Sequence, residues 1–303
     1  MCFSGFLLID KEEGLRSTAC VELMRLKLGR SVKVGHAGTL DSGATGLLVL
    51  LVGRSTRLSE IVMSFTKEYF VDGVLGVSTD TDDMTGHVIQ REKPPRISPE
   101  QMDRVIASML GCRFQRPPAI SAVHVGGRRA HEISRSGELP DIAPREVMIR
   151  RIDVLRYPDA DGVFSLKVLC GKGTYIRSLI RDIGTALGTS ASVLKLRRTS
   201  VGPLSSENAL PSSVARDLCK EDLLAHVIPA SEVLSILPFG EVPERLDKQC
   251  VNGGFIYARD LVGFRISPGL IAGGAVLVRH SAGGGIYRLA DGGRLDCMVN
   301  MVL

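Results

Sequence analysis

One acid stands in the run Gly35-His36-Ala37-Gly38-Thr39-Leu40-Asp41-Ser42-Gly43-Ala44-Thr45-Gly46, among four glycines, two threonines and a histidine. An unbroken apolar stretch, Leu47 to Val52, follows it directly. Glycines let the chain turn sharply and let another backbone come close, and the apolar run reads as a buried strand. Asp41 is thereby offered on a tight loop against a rigid sheet, where a carboxylate can serve as nucleophile or charge partner. Two plainer readings compete. The acid could cap a helix or bond its own backbone. The segment Gly38 to Thr45 also fits a phosphate loop at both glycines and the final threonine, but Ala44 stands where that loop requires lysine. Nucleotide hydrolysis is set aside on that ground.

Further along, Lys67-Glu68-Tyr69 opens a strand, and Gly173-Thr174-Tyr175-Ile176-Arg177-Ser178-Leu179 leads from a strand into a helix. Read alone, Tyr69 is core packing, and Arg177 is a cation facing the positive end of a helix dipole, which calls for a carboxylate nearby. The segment Leu194-Lys195-Leu196-Arg197-Arg198-Thr199 reads alone as a strand edge with charged flanks. Gly76-Val77-Ser78-Thr79-Asp80-Thr81-Asp82-Asp83-Met84-Thr85-Gly86 invites a calcium reading and fails it, since Met84 and Thr85 occupy positions where an EF-hand needs an oxygen ligand and a glycine, and the distal glutamate is absent. It reads instead as a turn braced by Asp and Thr side chains.

These motifs together resemble the TruB family of tRNA pseudouridine synthases. The first run matches that family's G-H-x-G-T-L-D-x-x-A-T-G signature at every fixed position. The resemblance runs from Phe3 to about Leu204 and implies roles residue by residue. Asp41 is the catalytic residue, and Arg177 pairs with it and holds it ionised. Tyr69, from a K-x-Y motif with Lys67, stacks on the target base, an interaction worth about 1–3 kcal/mol. Tyr175 and Leu196 complete an apolar pocket, His36 enters the T-loop beside the flipped nucleotide, and Arg197 and Arg198 meet phosphates. The implied reaction isomerises a T-loop uridine of tRNA, position 55, with neither cofactor nor metal. The sequence departs from the family pattern after Lys11, where the usual proline is missing, and at Arg16, Ile120, His124 and His131. These departures bear on RNA contact rather than on chemistry. The alternative of another class is a non-catalytic RNA-binding or RNA-folding protein on the same scaffold.

The elements that must carry these groups alternate irregularly, which predicts an α+β fold with a mixed, largely antiparallel sheet flanked by helices. Strands are expected over Phe3 to Ile9, Lys67 to Leu75, Val147 to Leu155 and Val163 to Leu169. Helices are expected from Ser17 to Gly29 with Val21, Met24 and Leu28 on one face, from Ser98 with Gln101 closing a capping box, and from Ile176 to Leu187. Past Pro229 glycines crowd between short β-rich runs such as Ala275 to Val278 and Leu295 to Val302. This predicts a small separate β domain, similar to the PUA-type RNA-binding domain. The expected division is a catalytic part over 1–210, with a basic RNA-gripping arm within 91–150, and the PUA-like part over 230–303.

The mildly basic net charge fits an anionic partner and a plain solvated surface equally well, while the clustering of the basic residues suits a phosphate backbone. The 303 residues carry a net charge of +5. Eight arginines face four acids between Arg113 and Arg151, and six Lys/Arg face one acid between Lys172 and Arg198. The first cluster, rich in turn formers, reads as an exposed arm. The seven cysteines are odd in number and widely spaced, with no CxxC pair and no zinc spacing. No run approaches the length of a membrane helix, and the first residues lack a signal-peptide pattern. The expectation is a reduced, cytoplasmic, metal-free monomer acting on the T-arm of tRNA.

Overall fold

The computed structural model describes residues 4–121, 123–125, 127–135, 138, 140–265 and 274–301. Phe3 and Val302, named in the strand expectations, lie outside the described residues, as do some of the glycines past Pro229 and the side chains of His124 and His131. The chain forms two compact units. The first is Met1–Ser42, Gly46–Phe65 and Val201–Leu303; the second is Gly43–Thr45 and Thr66–Ser200.

The first unit opens with β1 (Gly5–Lys11), α1 (Ser17–Leu28), β2 (Val34–His36), β3 (Thr45–Val52) and α2 (Ser59–Ser64). β3 runs antiparallel to β1, with Phe6 opposite Leu51 and Ile9 opposite Leu48, and antiparallel to β2, with His36 opposite Leu50. Leu47 to Val52 are all essentially inaccessible to solvent, as the unbroken apolar run predicts. Each such side chain contributes about 1.5–3 kcal/mol on burial. Helix α1 ends at Gly29, whose φ of 102° a β-carbon would strain. Its deepest residues are Ser17, Cys20, Met24 and Leu28. Cys20 thus takes the place expected for Val21, because burial follows the i, i+4 row through Met24 and Leu28.

The last part of the chain adds a six-stranded sheet in the order Ile256–Tyr257, Arg294–Met301, Gly283–Leu289, Ala275–His280, Phe239–Glu241, Val262–Arg265. Its mixed β architecture suits the PUA-like expectation. The two-residue period of its strands divides it between two cores. Ala275, Leu277, Ile286 and Val299 join Phe6, Leu8, Leu47, Val49, Leu51 and Phe65 in one cluster. Val276, Val278, Tyr287 and Leu295 close a second around Cys250 and Ile256.

The second unit contains β4 (Lys67–Leu75), β5 (Val77–Thr79), β6 (Val88–Arg91), α3 (Pro99–Met109), β7 (Gly111–Gln115), β8 (His124–Val125), β9 (Arg128–Arg129), α4 (Ala130–Arg135), β10 (Arg145–Arg156), β11 (Val163–Cys170), α5 (Ile176–Ala186) and β12 (Ala191–Val201). Its sheet runs β12-β4-β11-β10-β7, and the pairs β4–β11, β11–β10 and β10–β7 are antiparallel. β4 and β11 alternate buried and less buried residues. Gly73 is required in β4 because a β-carbon there would run into the buried Phe164 ring. Helix α3 carries the expected capping box: the Gln101 amide donates to Ser98 Oγ at 3.3 Å and Gln101 Oε1 accepts from the Ser98 amide at 2.8 Å.

The basic cluster from Arg113 to Arg151 is not an exposed arm throughout. Its two ends are β7 and β10, which pair antiparallel as the last two strands of the sheet, and β10 buries Val147, Ile149 and Ile152. The excursion between them has a small core of its own, Val123, Ala130 and Ile142, with Tyr175 packed against it.

Candidate active site

The loop from β2 to β3 presents Asp41 at the surface. Two of its four glycines, Gly38 at φ 105° and Gly46 at φ 98°, take a backbone conformation that costs other residues energy. The residues on either side of Asp41 are pinned. Ser17, at the start of α1, donates from Oγ to the Leu40 carbonyl at 2.9 Å and accepts from the Leu40 amide at 2.9 Å. The Gly14 amide donates to the Ser42 carbonyl at 2.8 Å. Lys11 reaches the same carbonyl at 3.3 Å and the Glu12 and Leu15 carbonyls at 2.8 Å each. Lys11 and Ser17 were not among the expected site residues. A lysine closing the apolar strand Gly5–Lys11 was the available signal for the first; a serine at a helix start gives no sign of so distant a partner. His36 ends β2, half-buried.

The remaining expected residues gather in the second unit. Tyr69 lies on β4 opposite Val168, and Lys67 opposite Cys170 on β11. Both Tyr69 and Lys67 are buried. Burial, reinforced by the Arg198 and Lys172 charges, pushes the Lys67 ammonium down to about 8. Burial likewise pushes the Cys170 thiol up to about 11. Tyr175 precedes α5 and exchanges two hydrogen bonds with the buried Gln115 side chain, at 2.9 and 3.1 Å. Leu196 is half-buried on β12, and its carbonyl accepts from Thr45 Oγ1 at 3.4 Å. The last threonine of the signature loop thereby touches the strand of the expected pocket wall.

Arg177 is only 5% exposed. It donates from Nη1 to the Thr81 carbonyl at 2.7 Å and from Nη2 to the Ile120 carbonyl at 3.1 Å, while its Nε lies 3.7 Å from Asp83 Oδ2. The carboxylate that a cation at a helix start calls for is thus present within its own unit. The 79–86 segment is the braced turn expected: Asp83 Oδ1 accepts from Thr81 Oγ1 at 2.8 Å and from the Thr85 amide at 3.0 Å. One turn along α5, Arg181 donates to Asp82 Oδ2 at 2.7 Å and to the Arg116 carbonyl at 2.9 Å. Burial pushes the Asp82 carboxyl up, although Arg181 and Arg177 pull it down.

Arg198, expected at a phosphate, is 2% exposed. Its charge bears on Lys67. Arg197, half-buried, keeps accessible surface. Among the described residues no group of His, Cys, Asp and Glu side chains is arranged to hold a metal ion, and no helix is long and apolar enough to cross a membrane.

The N-terminal-domain model of the TruB family pseudouridylate synthases matches residues 25–176, and the C-terminal-domain model of tRNA pseudouridylate synthase B matches residues 177–234. The chain belongs to the TruB family. Among TruB relatives, tRNA pseudouridine synthase B of Cereibacter sphaeroides is 40% identical over 263 residues, covering 85% of this chain and 86% of its own. A protein of the same name from Corynebacterium efficiens is 39% identical, covering 76% of this chain and 80% of its own. Among solved structures, a chain of a Cbf5-Nop10-Gar1 complex superposes with a TM-score of 0.72 over 99% of this chain and 85% of that one, at 21% identity. That likeness is one of fold.

Proposed function

We propose that this TruB-family chain is a tRNA pseudouridine synthase that isomerises the T-loop uridine at position 55. The observation that carries this reading is Asp41, the one acid of a fully matched signature, standing accessible on a loop whose neighbouring residues are both pinned. The names of the relatives, tRNA pseudouridine synthase B, support tRNA as the substrate.

In the reaction the N1–C1′ bond of uridine breaks, the uracil turns, and C5 bonds to C1′. The proton lost from C5 is matched by one gained at N1, so nothing is oxidised or reduced and no cofactor or metal is called for. Asp41 acts as nucleophile or charge partner. Arg177 is its charge partner. Tyr69, Tyr175 and Leu196 receive the flipped base, with Lys67 behind them and His36 in the T-loop. Arg197 meets phosphate; Arg198, enclosed, is left out of that role. We assign catalysis to residues 1–210, including the basic arm within 91–150, and RNA grip to 230–303, and we read the protein as a cytoplasmic monomer.

The deciding experiment is base-resolved mapping of pseudouridine in unmodified tRNA incubated with the purified protein. Conversion at position 55 is expected. A protein that binds tRNA and leaves every uridine unchanged is a binding or folding protein and overturns the assignment. Elution at twice the monomer mass would overturn the monomer.

A further inference from the structure

Two segments far apart in sequence grip one face of α5. From the 79–86 turn, the Thr81 carbonyl and the Asp83 carboxylate hold Arg177, while Asp82, the residue between them, holds Arg181 at 2.7 Å. From the root of the arm, the Ile120 carbonyl accepts from Arg177 at 3.1 Å, and the Arg116 carbonyl accepts from both Ser178 Oγ and Arg181 Nη2 at 2.9 Å. Arg177 and Arg181 lie four residues apart, one above the other on the helix. Asp82 also has a φ of 60°, and among the described residues it is the one non-glycine residue with positive φ. Aspartate tolerates that conformation better than most residues, but it still needs support from its surroundings. Arg181 supplies that support. Its fork spans both segments, and Asp182 Oδ1 steadies it at 3.1 Å.

We propose that Arg181 is a positioning residue for the reaction. With Asp82 it locks the 79–86 turn so that Thr81 and Asp83 set the Arg177 guanidinium, and through the Arg116 carbonyl it ties that setting to the RNA-gripping arm. This rests on the function proposed above. Arg181 touches no reacting atom in this scheme; it acts through Arg177. The coupling has a direct consequence: loosening the turn alone slows the chemistry, and loosening the turn and the arm root together slows the chemistry and weakens RNA binding.

Three variants of the full chain separate these effects. Asp82→Asn keeps the shape and the tolerance for positive φ and removes the charge. Arg181→Met keeps the aliphatic stem and removes both anchors. Arg181→Lys keeps the charge without the fork. Single-turnover pseudouridine formation at saturating enzyme, tRNA Kd and thermal midpoint are measured for each. A small displacement of a catalytic group costs up to about 100-fold. On that scale Asp82→Asn is expected to slow the chemical step about 10-fold, with Kd within about twofold. Arg181→Met is expected to slow it at least as much and to raise Kd about fivefold, and Arg181→Lys to recover part of the rate. Because both singles break the same Asp82–Arg181 contact, the double variant is expected to be no slower than Arg181→Met alone.

Unchanged single-turnover rates overturn the proposal. So do effects that multiply in the double variant, or rate losses that vanish once corrected for the folded fraction. Amide hydrogen exchange over residues 79–86 in RNA-free protein reads the lock without reference to activity. Faster exchange in Asp82→Asn supports it, and unaltered exchange overturns it. A wild-type protein that forms no pseudouridine overturns the function instead, and the exchange experiment then still judges the lock.

Discussion

Asp41 and Arg177 are mounted in opposite ways. The Asp41 loop is held by its neighbours: Leu40 by Ser17, and Ser42 by Gly14 and Lys11, all through backbone groups. The side chain itself stands at the surface. Arg177 is held by its own functional group, which is 5% exposed and is gripped by two carbonyls and a carboxylate. At Asp41 these anchors hold the flanking main chain on both sides of the residue. A cation meant to steer a charge can be enclosed, because its fixed fork keeps its orientation. The comparison therefore predicts that changes at the two groups differ in kind. Changes at Asp41 act on rate, whereas changes at Arg177 act on rate and on stability together.

The largest expected effect is that of Asp41→Asn. Removing a group that acts directly on the reacting centre costs on the order of a thousandfold or more. The variant is expected to keep the wild-type thermal midpoint and a tRNA Kd within about threefold, since no burial is lost. Single-turnover conversion and binding on one preparation check this, and appreciable turnover would sink the role given to Asp41.

Arg177→Met sharpens the contrast. It removes a buried charge from its carboxylate and two carbonyls, a change that typically costs about 3–5 kcal/mol of stability. Chemical denaturation is expected to show that loss alongside a crippled rate. Full stability in this variant would erase the difference between the two mounts.

Lys67 offers a third test, of charge enclosed at an unfavourable place. Its folded value, about 8, lies below the ordinary lysine value of 10.5. Between those two values the unfolded chain binds more protons than the folded one, so stability rises with pH across that window. Below about 8 the burial penalty is present in full, about 3 kcal/mol. Urea unfolding from pH 7 to 10.5 is expected to show this upward slope in the wild type and to lose it in Lys67→Met. An identical slope in both would place the titration elsewhere.

Ser17→Ala is the gentlest test. It takes one donor and one acceptor from the buried Leu40 backbone, and buried groups left unsatisfied cost about 1–3 kcal/mol. Stability is expected to fall by that amount, and the rate several-fold, because the residue before Asp41 is released. A rate unchanged at full occupancy would show that the loop needs no pin at Leu40.

Much of this arrangement was legible in the residues. The unbroken run from Leu47 to Val52 announced a buried strand, Ser98 and Gln101 announced a capped helix, and the signature announced where to look for the acid. Local periodicity and turn chemistry are written in adjacent residues, and there the reading succeeded. It failed where the deciding partner is remote. Nothing near Ser17 points to Leu40, nothing near Asp82 points to Arg181, and nothing in Leu196-Arg197-Arg198 says that one arginine is enclosed and the other not. The glycine-rich end of the chain was readable as β structure, but its alternate residues, Ala275 and Leu277 against Val276 and Val278, serve two different cores. That division depends on what lies against each face, which the strand pattern does not encode.

The sharing of one core by Phe6, Leu8 and Leu51 with Leu277, Ile286 and Val299 bears on how the protein is made. A ribosome releases the first strands long before the last. At roughly 5–20 residues per second the N-terminal strands wait on the order of ten seconds for their final packing partners. During that wait the most apolar strand of the chain is without part of its cover. The second unit, drawn mainly from one continuous stretch, can close in the meantime. Synthesis thus asks of the nascent chain what the finished fold does not: protection of an N-terminal apolar strand until the C-terminus arrives.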